Sequence, residues 1–282
     1  MSDTIIRNDL TLKFEDSEEI SRQQDAPEAI EAKAWEIISG GWLHHGYFDE
    51  ANVDASLAEG AERFARMMID KTSISAGQTF CDLGCGVGRT AIMLAAERGC
   101  FVEGVTNSYH QQQIATRHAW LAGLDHLVAF HLEDARDLPF AGESMAGGWF
   151  FESISRIGHE KALIEARRVL KSGSTLLIAD LYLRGEAQRG FCQYAVREMQ
   201  TQIIRLQAYR EVLADCGFEV VELEDVSTFV GKPFPQKFAE AFHLHRHEIA
   251  HLVGEKEVKR WLEVHETIAR NTGYITVAAK AV

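Results

Sequence analysis

The segment Phe80-Cys81-Asp82-Leu83-Gly84-Cys85-Gly86-Val87-Gly88 constrains this chain more than any other stretch. A short apolar run leads into three alternating glycines, and a helical pattern starts at Arg89. Glycine at 84 and 86 lets the backbone turn sharply and approach a ligand where a Cβ would intrude, and a helix starting near Gly88 aims free N–H groups at the same place. The pattern predicts a strand, a tight turn and a helix, with a flat polar ligand docked at the turn. A strand–helix turn without a ligand is the plain alternative.

The rest of the chain supplies matching elements. Strands are predicted at Thr79–Leu83, Phe101–Thr106, Val128–Leu132, Met145–Phe151 and Thr175–Leu181. They alternate with helices from Arg89, from Tyr109 to Leu121 and from Glu160 to Leu170, with a turn at Lys171-Ser172-Gly173. Strands alternating with helices imply an α/β protein with a doubly wound, mostly parallel sheet. Before this region, Ala34 to Met68 reads as helices around Gly40-Gly41 and the aromatic turn Trp42-Leu43-His44-His45-Gly46-Tyr47-Phe48. After it, Gly185–Cys216 reads as helix, Phe218–Leu223 as strand, Pro233–His265 as polar helices and Tyr274–Ala279 as a closing strand. Three segments follow: an N-terminal arm and helical cap at 1–68, a cofactor-binding core at 69–184, and the end of the sheet with inserted lid helices at 185–282.

Lys and Arg total 29 against 42 Asp and Glu, a net charge of −13. The resulting field repels phosphate backbones and anionic membranes, so a small molecule is the expected partner and nucleic acid and membrane are not. The five cysteines are odd in number and lie in apolar segments, which fits reduced thiols and a cytoplasmic setting. No basic head precedes an apolar run, and no run of about 18 apolar residues occurs. Residues 1–33 are polar and acidic; the arm is a candidate contact for a homo-oligomer.

The sequence Asp82-Leu83-Gly84-Cys85-Gly86-Val87-Gly88 resembles the first motif of class I S-adenosylmethionine-dependent methyltransferases, and the resemblance implies a Rossmann-like sheet with S-adenosylmethionine as cofactor. It places Asp82 near the methionine end and the backbone of Gly84, Cys85 and Gly86 along the cofactor. The acidic residue that such enzymes carry at the end of the second strand is replaced by Thr106. With Asn107 and Gln111 it can still hydrogen-bond a ribose, as in small-molecule enzymes resembling sugar O-methyltransferases. Asp134 and Ala135 match the adenine-recognition turn, Phe151 joins the cofactor set, and Tyr47 in the aromatic turn would cover the sulfonium, a cation–ring contact worth roughly 0.5–2 kcal/mol. Ordinary helix-start and helix–loop packing are the alternatives for Thr106 and Tyr47.

The chemistry is expected in Trp149-Phe150-Phe151-Glu152-Ser153-Ile154-Ser155-Arg156, which leaves the fourth strand at its carboxyl end. Related enzymes follow Glu-Ser with a histidine; here Ser155-Arg156 stand there, and arginine is no base at ordinary pH. Glu152 and Asp180 are the candidate catalytic carboxylates, and Trp149, Arg156 and Tyr182 the candidate substrate contacts. An aromatic mouth that includes Tyr47, Trp149 and Phe150 suits an apolar substrate. Two carboxylates without a histidine favour methylation of a carbon in a prenyl-like alkene, where Glu152 would support a cation. The alternatives are O- or N-methylation of a natural product, or a methyltransferase-like cyclase that transfers no methyl. Glu152 as a mere acceptor for loop amides is the structural reading.

His247-Glu248-Ile249-Ala250-His251 spells the H-E-x-x-H of zinc proteases. It lies in a polar, histidine-rich stretch ahead of the closing strand, so a lid helix with ordinary histidines is expected, and no metal.

Overall fold

The computed structural model describes residues 27–185 and 187–282. Residues 1–26, most of the arm assigned to self-association, lie outside the described residues. Seven strands form one sheet, β1 (Thr79–Leu83), β2 (Phe101–Thr106), β3 (Val128–Leu132), β4 (Met145–Phe151), β5 (Leu170–Leu183), β6 (Phe218–Asp225) and β7 (Thr272–Ala281). Their order is β3-β2-β1-β4-β5-β7-β6. The first five pair in parallel, and β7 runs antiparallel between β5 and β6. This is the mostly parallel, Rossmann-like sheet of the methyltransferase fold.

The helices fall largely where the pattern placed them, except that residues 154–157 of the chemistry loop and 27–33 of the arm are also helical. Around the parallel half lie α1 (Pro27–Ser39), α2 (Leu57–Asp70), α3 (Arg89–Arg98), α4 (Tyr109–Leu121), α5 (Ile154–Ile157) and α6 (His159–Val169). The last third adds α7 (Phe191–Met199), α8 (Leu206–Asp215), α9 (Phe234–Leu244), α10 (Arg246–Val253) and α11 (Glu255–Asn271). Helix α2 shows why: Ser56 and Glu59 form a reciprocal capping box, and Leu57, Ala61, Phe64, Ala65 and Met68 bury one face.

One boundary differs. The predicted turn at Lys171-Ser172-Gly173 falls inside β5, because Met145 pairs with Leu170 while Gly147 already pairs with Thr175. The extra residues bulge out, with Gly173 at a φ of 79°. The turn chemistry was legible; its accommodation within a strand was not.

Side chains alternate between the two faces of the sheet, and parity decides what each meets. Phe80, Val102, Trp149, Phe151, Leu177, Ala179, Leu181 and Tyr274 pack with α2, α3 and α4. Cys81, Leu83, Phe150, Leu176, Ile178 and Ile275 pack with α6 and α8 on the other face. A third cluster joins Ala34, Ile38 and Phe48 to Phe234, Phe238, Ile249 and Trp261, tying the N-terminal helix to the C-terminal ones above the carboxyl ends of the strands. No helix among the described residues is long and apolar enough to cross a membrane.

Candidate active site

Three adjacent features build the site: the glycine turn after β1, the loop after β4, and the aromatic turn before α2. Gly84, Gly86 and Gly88 all have positive φ, at 90°, 54° and 78°. They serve different ends. A Cβ on Gly84 would collide with Ser153, and one on Gly88 with Phe130 and Ala115, so both are demanded by packing. A Cβ on Gly86 would meet only Leu43 Cδ1, at 3.1 Å. Gly86 is therefore the position where open space faces the backbone, and Leu43 of the aromatic turn arches over it. The amides of Gly84 and Cys85 both donate to the Val105 carbonyl at 2.9 Å, which anchors the turn to β2.

Asp82, the penultimate residue of β1, is 2% exposed. Burial pushes its carboxyl up to about 7, and the Trp149 indole N–H, which lacks a hydrogen-bond partner in good geometry, opposes the rise only in part. A buried carboxyl with no compensating cation is a place for a ligand's positive charge. At the end of β2, Thr106 Oγ1 is 2.9 Å from Gln111 Oε1 and receives the Ser108 amide, and Asn107 is exposed beside it. These neutral groups match a pair of ribose hydroxyls. Ala135 is buried in the turn beyond β3, and Asp134 is held by the backbone and side chain of Arg136, with Arg136 Nη2 at 2.6 Å. An open cradle at Gly86, an uncompensated Asp82 and the neutral Thr106–Gln111 pair fit S-adenosylmethionine.

The loop after β4 turns on Glu152, a non-glycine residue in the left-handed region at a φ of 54°, whose amide donates to Ala179 at 2.7 Å. Ser153 Oγ donates to the Leu83 carbonyl and pins the loop to the end of β1. Glu152 is thereby aimed at the aromatic turn. Its Oε1 accepts from the His45 amide at 2.6 Å and from the Tyr274 hydroxyl at 2.5 Å, and its Oε2 from His45 Nδ1 at 2.8 Å. Burial works to raise the Glu152 carboxyl, but the charge that the His45 ring carries when protonated, its hydrogen bond and that of Tyr274 hold the carboxyl below the ordinary carboxylate range. Because a carboxylate only accepts, Nδ1 of His45 carries the proton, and its Nε2 has no partner among the described residues. His45 packs against Phe234 with the rings tilted by 40° and centroids 3.9 Å apart. It lines a small closed cavity of about 10 Å³ with Leu181, Met199, Phe234, His265 and Ile268, roughly the space of one water.

Several expected contacts lie elsewhere. Asp180 is on the opposite face, its carboxylate accepting from the amides of Ser155 and Leu181, at 3.0 and 2.7 Å, and facing Ser155 Oγ; it braces α5 rather than the mouth. Trp149 is wholly buried between Phe80 and Phe151, and Phe150 faces the other core, so neither forms an aromatic mouth. Arg156 is exposed on α5. Tyr182 donates to Asp225 at 2.6 Å, outside the cavity. The ring of Tyr47 already has a cation, Arg63, 5.4 Å from its centroid, and it stacks on Phe229. The ring stacked on Phe151 is instead His44, at 4.1 Å. His44 and His45 were visible in the aromatic turn, but nothing local distinguishes them from packing residues. The H-E-x-x-H residues His247, Glu248 and His251 are exposed on α10, and no group of three metal-ligating side chains occurs among the described residues.

Comparison with known proteins adds the lineage. The family model described as mycolic acid cyclopropane synthetase matches residues 45–272. The chain belongs to that family of class I methyltransferases. It is 29% identical over 259 residues to (+)-O-methylkolavelool synthase of Herpetosiphon aurantiacus, covering 87% of this chain and 89% of that one. It is 31% identical to 27-O-demethylrifamycin SV methyltransferase of Amycolatopsis mediterranei, covering 79% and 82%. The crystal structure of the [4+2]-cyclase SpnF superposes with a TM-score of 0.77 at 28% identity, covering 93% and 95%. This family member is an S-adenosylmethionine-dependent methyltransferase of the natural-product type.

Proposed function

We propose that this methyltransferase acts on a hydroxyl oxygen of a largely apolar natural product, with His45 as general base and Glu152 as the group that orients it. The observation that carries the reading is the His45–Glu152 pair beside the apolar cavity. The histidine missing after Glu152-Ser153 is supplied by the aromatic turn, which moves the preferred acceptor from alkene carbon to oxygen. Both oxygens of Glu152 are engaged by three donors, so the carboxylate is better placed to steady an imidazolium than to face an alkyl cation. S-adenosylmethionine, when bound, supplies a methyl carbon activated by a sulfonium leaving group. His45 Nε2 accepts the hydroxyl proton as the oxygen attacks, and Glu152 stabilises the imidazolium that forms. Tyr274, whose phenol burial and the Glu152 charge keep protonated, fixes the carboxylate.

The expected segments divide the work. Residues 69–184 hold the cofactor, while 1–68 contribute His45 and 185–282 contribute Met199, Phe234, His265 and Ile268 around it, the lining of the water-sized cavity that the substrate would widen. The names of the two relatives, one an O-methylated product and the other an O-demethylated substrate, support oxygen. The charge of −13 supports a small-molecule substrate, and five free cysteines support a cytoplasmic setting.

The test is to incubate the protein with methyl-labelled cofactor and a panel of terpenoid and polyketide alcohols, then locate the label by NMR. A methyl ether with stoichiometric S-adenosylhomocysteine is expected. A new methyl on carbon or nitrogen, or conversion without S-adenosylhomocysteine, would overturn the reading.

A further inference from the structure

Four buried side-chain nitrogens lack a hydrogen-bond partner among the described residues: His44 Nε2, Arg89 Nε, Arg98 Nε and Trp149 Nε1. Arg98 lies at the far end of α3, where its Nη2 bonds Ile69 and Asp70. Trp149 Nε1 lies in the core, where it acts on the Asp82 carboxyl. Arg89 and His44 flank the glycine turn. A buried polar group left unpaired costs about 1–3 kcal/mol, so two at one turn indicate a missing ligand rather than two unrelated defects.

Trp42 organises both. The guanidinium of Arg89 lies over its ring at 4.9 Å, and the His44 ring meets it edge-on at 5.3 Å. Gly41 lets the chain pass the arginine, since a Cβ there would be 3.5 Å from Arg89 Cδ and Nη1. Arg89 is the first residue of α3, where the helix dipole disfavours a cation. It forms no ion pair with a described residue. A cation held in that position by stacking, and left unneutralised, suits an incoming anion.

His44 has the complementary character. Its Nδ1 lies 2.8 Å from the His45 carbonyl, which only accepts, so Nδ1 holds the proton. Burial lowers its pKa, which leaves Nε2 as a bare lone pair. Asp82, near the end of β1, is a second acceptor with no cation acting on it. One free donor and two acceptors match an amino acid's carboxylate and ammonium; the Thr106–Gln111 side of the turn carries no free charge and suits the nucleoside.

We infer that Arg89 and His44 form the receptor for the amino-acid end of S-adenosylmethionine, Arg89 donating to its carboxylate and His44 Nε2 accepting from its ammonium. The aromatic turn then closes over the cofactor as well as carrying the base. This inference rests on cofactor binding and is independent of which atom of the substrate is methylated.

Calorimetry with three ligands tests it: S-adenosylhomocysteine, its decarboxylated analogue, and methylthioadenosine, which lacks the amino-acid end. Arg89→Gln should weaken S-adenosylhomocysteine about ten- to hundredfold, the loss of one charge-assisted bond, and leave the other two unchanged. His44→Phe should weaken S-adenosylhomocysteine and the decarboxylated analogue but not methylthioadenosine. Thermal unfolding checks that each variant is folded; should Arg89→Gln fail, Arg89→Met keeps the stem over Trp42 and carries the same expectation. Equal weakening of all three ligands by the Arg89 variants, or unchanged affinity for S-adenosylhomocysteine, would overturn the assignment.

Discussion

His45 and Glu152, separated by 107 residues, meet through two hydrogen bonds of 2.6 and 2.8 Å, one from the backbone and one from the ring. The double contact fixes the imidazole's tautomer and its plane together, and Phe234 backs the ring.

Removing the base should therefore separate chemistry from binding. His45→Ala is expected to lower kcat by about 10²- to 10⁴-fold, the usual worth of a positioned general base, while affinity for S-adenosylhomocysteine stays within about threefold of wild type. Added imidazole or higher pH should restore part of the rate. Glu152→Gln, which keeps the shape but loses the charge, should lower kcat at least about tenfold. Steady-state kinetics across pH with calorimetry check both; unchanged turnover in His45→Ala would remove it from the mechanism.

Asp82 should couple cofactor binding to a proton. Burial raises its carboxyl from 3.8 to about 7 in the cofactor-free protein, so ionising it costs stability progressively as pH rises from about 4 to about 7. An ammonium beside it favours the carboxylate. Below about pH 7, binding of S-adenosylhomocysteine should release up to one proton, and affinity should rise with pH by at most about tenfold per unit, then level off. Calorimetry at pH 6 and 8 in buffers of different ionisation enthalpy reads the release, which Asp82→Asn should abolish.

The glycines at 84 and 86 should fail differently. Both have positive φ, which costs alanine about 1–2 kcal/mol, but only at 84 does the new Cβ also strike Ser153. Gly84→Ala should lower Tm distinctly more than Gly86→Ala. Gly86→Val should weaken S-adenosylhomocysteine at least about tenfold, because its side chain fills the cradle. Paired thermal and calorimetric titrations decide; wild-type affinity in a folded Gly86→Val protein would move the cofactor away from the turn.

His265 should tie acid stability to the cavity beside His45. Its ring lies 4.3 Å from Phe238 and 5.2 Å from Phe234, and burial lowers its pKa to about 3. The unfolded chain takes up its proton near pH 6.5, whereas the folded one resists, so stability falls as pH drops from about 6.5 toward 3. His265→Phe should flatten that dependence by up to about 1.4 kcal/mol per pH unit. Urea unfolding at pH 5 and 7 measures the change, and an unaltered slope would contradict it.

The sequence by itself determined the elements and the glycine turn. Strands β1 to β4 begin and end where the apolar runs do, because side-chain period and turn residues are local properties that survive without tertiary context. The same local logic marked Asp82, Gly86 and Thr106 as candidates, since each lies at or just beyond the carboxyl end of β1 or β2. Only the tertiary structure decided which residues share the reaction chamber. Strand parity put Asp180 and Phe150 on the face away from it, and burial closed Trp149 into the core. The proposed base lies in a turn whose histidines carry no local signature. His45 becomes a candidate base only because Ser153 anchors the β4 loop to β1, the left-handed Glu152 swings its carboxylate outward, and the third apolar cluster holds the aromatic turn against it. Such a meeting depends on packing between segments distant in the chain, and no pattern within either segment encodes it.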